Sequence, residues 1–168
     1  ACKNQRIKGN TIAQKAEFFK GKRDKNLIAK EEAEAQAKKA ARVAELKATV
    51  QAKLDECMDT AVKLWPDRRH DMTVKLLYID AGNAAGVAYF GDGMNCTIKV
   101  SSTYLEHDMV DALVDTIPHE LAHLYASRWF GCRDHSAEWK EIAEALGAKP
   151  VACHTMPSAA AIRGNFLK

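Results

Sequence analysis

Val43, Leu46, Val50, Leu54, Cys57, Ala61 and Leu64 recur at spacings of three and four. That period puts them on one stripe of an amphipathic helix. They form the second half of a stretch from about Leu27 to Leu64 rich in Ala, Lys and Glu. In the first half, Lys30 to Arg42, the only apolar residue is alanine, which favours helix but buries little. That half is expected to project from the body of the protein or to pair with another chain. A coiled-coil seam would want larger side chains there. Upstream, Thr11-Ile-Ala-Gln14 has capping-box spacing and predicts a short helix, which Gly21 is expected to stop. Pro66 ends the long helix.

The period then changes. Thr73–Ile79, Val87–Phe90 and Asn95–Val100 are rich in β-branched and aromatic residues, and turn residues at Gly82-Asn83 and Gly91-Asp92-Gly93 separate them. They predict a small antiparallel sheet of three strands. From Asp108 the helical period returns, with Val110, Leu113, Val114, Ile117, Leu121, Leu124 and Tyr125 on one side. A loop from Cys132 to His135 follows Gly131. A last helix is expected after it, with Ser136 as N-cap, Trp139, Ile142, Ala143 and Leu146 as its buried stripe, and Gly147 and Pro150 closing it. The tail, Val151–Lys168, is small and polar.

Charge is unevenly spread along the 168 residues. Residues 1–30 hold nine Lys/Arg against Glu17 and Asp24, a balance of +7, whereas the whole chain carries +3. A basic arm therefore precedes a mildly acidic body. Such an arm can attract phosphate backbones or stay solvated. No run approaches the ~18 apolar residues of a membrane span, and no apolar run follows the first charges, so no secretory signal is expected. The five cysteines, Cys2, Cys57, Cys96, Cys132 and Cys153, show no C-x-x-C spacing. Their odd number and spacing fit reduced thiols in a cytoplasmic, intracellular protein.

The chemistry concentrates in His119-Glu120-Leu121-Ala122-His123. Histidines four apart on a helix point the same way, about 40° from each other. The apolar stripe centres nearly opposite them, so the imidazoles are expected on the polar side of a helix buried at its back. Two such imidazoles can bind one zinc ion, and Glu120 in an H-E-x-x-H motif sits beside the metal-bound water as general base. A catalytic zinc takes a third protein ligand. His135, eleven intervening residues after His123 at a loop–helix junction, is best placed to fold back. Glu138, Glu141 and Glu144 are rival donors. The longer motif with a ligand six residues after His123 does not apply, since Trp129 holds that position. Pro118 lies inside the helical pattern. It predicts either a kink that frees the Val114 carbonyl or a helix starting near Thr116. The unbroken stripe favours the kink.

Several segments together resemble the SprT family of zinc metallopeptidase domains, which includes bacterial SprT and the Spartan proteases. The specific part is Ile117-Pro-His-Glu-Leu-Ala-His-Leu-Tyr-Ala-Ser-Arg-Trp-Phe-Gly131, then Asp134-His-Ser-Ala-Glu-Trp-Lys140, Ala145-Leu-Gly147 and Cys153-His154. Ala85-Gly86 and Ile98-Lys-Val-Ser-Ser102 are similar more loosely. The resemblance covers about residues 60–156. It implies an α+β domain of zincin type, with zinc on His119, His123 and His135 and Glu120 as base. It further implies endopeptidase activity by water-activated amide hydrolysis and, through Spartan-type relatives, protein substrates linked to DNA. Two features depart from the family. Ser136 follows the third histidine where Gly is usual, and of a four-cysteine ribbon only Cys153 falls in the matching region.

The expected organisation is a basic arm with a short helix (1–26), a long charged helix (27–59), the metallopeptidase domain (60–156) and a tail (157–168). Tyr104, Arg133 and His154 are polar residues that sequence puts in reach of an oxyanion. Two readings compete with the peptidase: a non-catalytic nucleic-acid-associated factor with structural zinc, and an assembly protein that oligomerises through the long helix. DNA contact through the basic arm is the corresponding partner reading.

Overall fold

The computed structural model describes residues 12–79, 84–92, 94–151, 158 and 161–162, with side chains from residue 25 onward. Its elements in chain order are α1 (Ile12–Leu64), β1 (Thr73–Ile79), β2 (Gly86–Phe90), β3 (Asn95–Ser101), α2 (Ser102–Glu106), α3 (Val110–Phe130) and α4 (Ala137–Ala145). Two compact units divide between Arg42 and Val43.

The unit before Val43 is helical from Ile12, and its residues 25–42 are exposed. The helix begins where the capping-box spacing places it, but the expected stop at Gly21 is wrong. α1 runs through Gly21 without a break. One interior glycine costs about 1 kcal/mol relative to alanine, and the strong helix formers on either side outweigh it.

The unit from Val43 contains the core. Leu46, Val50, Leu54, Cys57 and Ala61 are buried, as their spacing requires, whereas Leu64 at the end of the stripe is half exposed. They join Ile98 and Val100 of β3 and Leu113, Ile117, Leu121 and Leu124 of α3 in one cluster.

The three strands lie where the sequence puts them, but the all-antiparallel sheet is corrected. The order is β1-β3-β2, with β1 parallel to β3 and β2 antiparallel to it. The strands still alternate in direction along the chain. β3, the last of them, slots between the other two instead of continuing outward, and so meets β1 in parallel. Its pattern fits the central place, because Cys96, Ile98, Val100 and Ser101 are all buried while β1 and β2 contain no buried residue. β2 is thereby left as an edge strand, facing α3.

α2 has no counterpart in the sequence expectations. Five residues are too few to display a period, yet Thr103, Tyr104 and Leu105 are all buried. The fold is α+β: a long helix, a three-stranded mixed sheet and helices packed against it. No helix among the described residues is long and apolar enough to cross a membrane.

Candidate metal centre

α3 carries the motif and runs unbroken from Val110 to Phe130 with Pro118 inside it. The helix therefore does not start near Thr116. Just before the proline, Thr116 Oγ1 donates to Ala112 O at 2.7 Å. Gly131 ends the helix in the left-handed region at φ 73°, its N–H reaching back to Ser127 O; this is the glycine-dependent close of a helix. The turn sends the chain back through Cys132–His135 to α4. There Ser136 caps the helix by accepting from Trp139 N at 3.3 Å.

This reversal brings His135 to the other two histidines. The ligand atoms of His119, His123 and His135 all lie within 4.8 Å of one another. Ring centroids are 5.2 Å apart for His119–His123, 5.3 Å for His119–His135 and 4.7 Å for His123–His135. The Nε2 atoms of His119 and His135 are 3.4 Å apart. Two imidazole nitrogens on one tetrahedral zinc, each at about 2.0–2.1 Å, stand about 3.3 Å apart. The separation thus suits a shared cation better than an N–H···N bond, which prefers about 2.9–3.0 Å. The cluster can hold a metal ion.

The electrostatics agree with that use. Burial pushes the His123 imidazole down to about 4, the neighbouring His135 pushes it the same way, and Asp134 opposes weakly. The ring therefore stays neutral at ordinary pH, the state in which imidazole ligates metal.

The polar side of α3 on which the histidines are expected is itself largely covered. His119 is 6% exposed and Glu120 5%, and every residue of α3 from Thr116 to Ala122 is buried. The cover over the histidines comes from α4. Trp139, fully buried, packs its indole against all three imidazoles, with centroids 4.8 Å from His119, 5.1 Å from His123 and 4.3 Å from His135. Periodicity identified Trp139 as a core residue and missed this second role. The available signal was its place four residues after His135, one helical turn on.

Glu120 is held from the sheet side. Ala88 N on β2 donates to Glu120 Oε2 at 2.8 Å. Burial pushes the carboxyl up to about 7, and the Ala88 hydrogen bond restrains the rise. A carboxyl near 7 can exchange a proton in both directions at neutral pH. β2 comes this close because Gly86 has no side chain. A Cβ there would sit 2.5 Å from Thr116 Cγ2 and 3.1 Å from Glu120 Cγ. A glycine inside a strand pattern is the signal for such an approach; the Ala88 N–H, a backbone group, has none.

The rival donors are not in the cluster. Glu141 and Glu144 are exposed, and Glu138 lies 4.0 Å from Cys132 Sγ. Of the oxyanion candidates, Tyr104 is 1% exposed within the core. Arg133 is exposed, with its guanidinium 5.1 Å from the centre of the Phe90 ring. His154 lies outside the described residues.

An α+β fold with H-E-x-x-H on a core helix and a third histidine at the head of the next helix has the form of a SprT, zincin-like domain. The SprT-like family model matches residues 31–158, and the chain belongs to that family. Protein SprT of Proteus mirabilis is 39% identical over 72 residues, which cover 42% of this chain and 41% of that protein. Protein SprT of Salmonella arizonae and of Salmonella newport are each 31% identical over 83 residues, 49% of this chain and 48% of theirs. The chain spans less than half the length of these curated relatives.

Proposed function

We propose that this chain is a zinc-dependent endopeptidase of SprT-like type, with His119, His123 and His135 as metal ligands and Glu120 as general base. The observation that carries the reading is the pairing of three clustered imidazoles with a buried carboxyl pushed up to about 7 on the same helix as two of them. Zinc, when bound to three protein ligands, supplies Lewis acidity and an open position at which water is acidified toward a pKa of about 7. The other roles fall to the protein. The neutral His123 imidazole offers its lone pair without first shedding a proton. The Ala88 N–H fixes one carboxylate oxygen of Glu120 and leaves the other to accept a proton from the attacking water. Glu120 then hands that proton to the leaving amine, which balances the hydrolysis: water adds across the amide and the carboxyl regains its starting state. Trp139 keeps bulk water from one side of the ligands.

DNA-associated proteins are the substrate class proposed, through family resemblance and the basic segment at residues 1–30. The test is cleavage of an unfolded protein by the zinc-loaded chain, alone and with single- or double-stranded DNA. Turnover that DNA stimulates supports the whole reading, and DNA-independent turnover supports the peptidase without the DNA link. Stoichiometric zinc without turnover, alongside DNA binding that weakens steeply with salt, would replace it with a non-catalytic nucleic-acid-associated factor. Removing residues 1–30 is expected to weaken DNA binding; unchanged affinity excludes that segment as the contact.

A further inference from the structure

A cavity of about 210 Å³ opens between β2, the start of β3 and the C-terminal half of α3. Its floor is apolar, made by the buried Met72, Cys96 and Leu124. Phe90 and Ser127 stand at the sides, with Arg128 and Arg133. Among the described residues, no acidic one lines it.

Three of the segments that build the metal centre, β2, α3 and the loop before His135, continue into this cavity. Phe90 lies two residues along β2 from Ala88, on the same strand face and about 6.6–6.8 Å on. Ser127 lies four residues along α3 from His123, just over one turn and about 6 Å further on. Arg133 precedes His135 by two residues in the connecting loop. The displacement, about 5–7 Å by these element rises, is the scale on which an extended peptide places the side chain next to a reacting carbonyl.

The two arginines differ in what they have left to offer. Arg128 is committed: its Nη2 lies 2.7 Å and 2.6 Å from the two carboxylate oxygens of Asp71. Arg133 makes no ion pair among the described residues, its exposed neighbour Asp134 included. Its guanidinium lies over the Phe90 ring. A guanidinium held against an aromatic face keeps its in-plane N–H groups for a carboxylate, which it can grip with two parallel bonds.

We propose that this cavity is the subsite for a substrate side chain flanking the cut, that it selects an apolar stem ending in an anion, glutamate foremost, and that Arg133 is the specificity-determining residue. The assignment rests on the peptidase reading given above. A glutamate stem covers the apolar floor while its carboxylate meets Arg133. A lysine in the same place sets two cations together, and a small side chain leaves the floor wet. Discrimination by one such polar partner is on the order of tenfold or more.

The test maps the cuts made by the full zinc-loaded chain in an unfolded protein of known sequence, read by mass spectrometry. Acidic residues are expected to exceed Lys/Arg about tenfold at one position flanking the cut. Arg133→Glu is expected to invert the preference, and Arg133→Lys to keep its sign with a smaller ratio. The same profile for wild type and Arg133→Glu, or no acidic enrichment in wild type, overturns the proposal. A wild type that cuts nothing sinks the peptidase reading separately. The cavity is then judged by fluorescence anisotropy of labelled peptides, differing only by Glu or Lys at one position, on zinc-loaded Glu120→Gln. Tighter binding of the Glu peptide that Arg133→Glu reverses upholds the subsite, and equal binding overturns it.

Discussion

Gly86→Ala is the substitution that most sharply tests how the sheet positions the general base. The added Cβ would fall 2.5 Å from Thr116 Cγ2, 3.1 Å from Glu120 Cγ and 3.2 Å from Lys99 O. The first contact is impossible as it stands. Thr116 is fully buried, β-branched and tied by its hydroxyl to Ala112 O, so it cannot rotate away cheaply. Overpacking of this kind costs about 1–3 kcal/mol, which for a chain of this size lowers Tm by roughly 2–4 °C per kcal/mol. The alternative relief, β2 moving off α3, stretches the 2.8 Å bond from Ala88 N to Glu120 and lowers turnover. Thermal and urea unfolding of the metal-free protein measures the first effect without any metal contribution. Thr116→Ser removes the methyl in conflict and keeps the hydroxyl bond. Alone it is expected to destabilise by about 1 kcal/mol, as loss of one buried methyl does. With Gly86→Ala already present it is expected to recover part of the loss, a coupling of about 1 kcal/mol or more. A Gly86→Ala protein as stable as wild type, or a double variant whose losses simply add, would refute the close-approach argument.

Other outcomes follow from the same geometry. Trp139→Ala removes the indole that touches all three imidazoles; zinc affinity by chelator competition is expected to fall about 10–100-fold, with Trp139→Phe falling less, and an unchanged affinity in both would show that the indole merely fills the core. In the metal-free protein, the folded carboxyl of Glu120 titrates near 7 against an ordinary value of 4.5, so the folded state holds the extra proton between these values and Glu120 makes stability fall as pH rises through that window. His123, near 4 against 6.5, acts with the opposite sign: its contribution is lost as pH falls from about 6.5 toward 4. Glu120→Gln removes only the first effect, so the variant is expected to gain on wild type by on the order of 3 kcal/mol between pH 4.5 and 7; parallel denaturation curves across that range would contradict the buried-carboxyl account.

Much of this architecture is legible in residue spacing. Leu46, Val50, Leu54, Cys57 and Ala61 mark the buried face of α1 because a helix repeats a contact every three to four residues. The histidines of α3 and the Ser136 cap of α4 are legible for the same kind of local reason. What escaped is non-local. Strand pairing depends on which edges meet after folding, so three correct strands still came with the wrong sense for one pair, β1 running parallel to β3. Gly21 looked like a stop because a sequence window weighs one glycine without the helix formers on both sides of it. The burial of His119 and Glu120 escaped as well, since a helical wheel cannot know that Trp139 returns from another helix and β2 from the sheet to cover them. The Ala88 N–H that holds Glu120 belongs to the backbone, which every residue but proline supplies.

The central claim, that Glu120 performs proton transfer beside a metal held by His119, His123 and His135, is tested most directly by Glu120→Gln. The amide preserves the side-chain shape and can still accept from Ala88 N, but it cannot take up a proton. Zinc content and turnover of an unfolded protein are measured on wild type and variant side by side. One zinc per chain in both, with turnover reduced at least about 10²-fold in the variant, is the expected result. Turnover by Glu120→Gln equal to that of wild type would contradict the account.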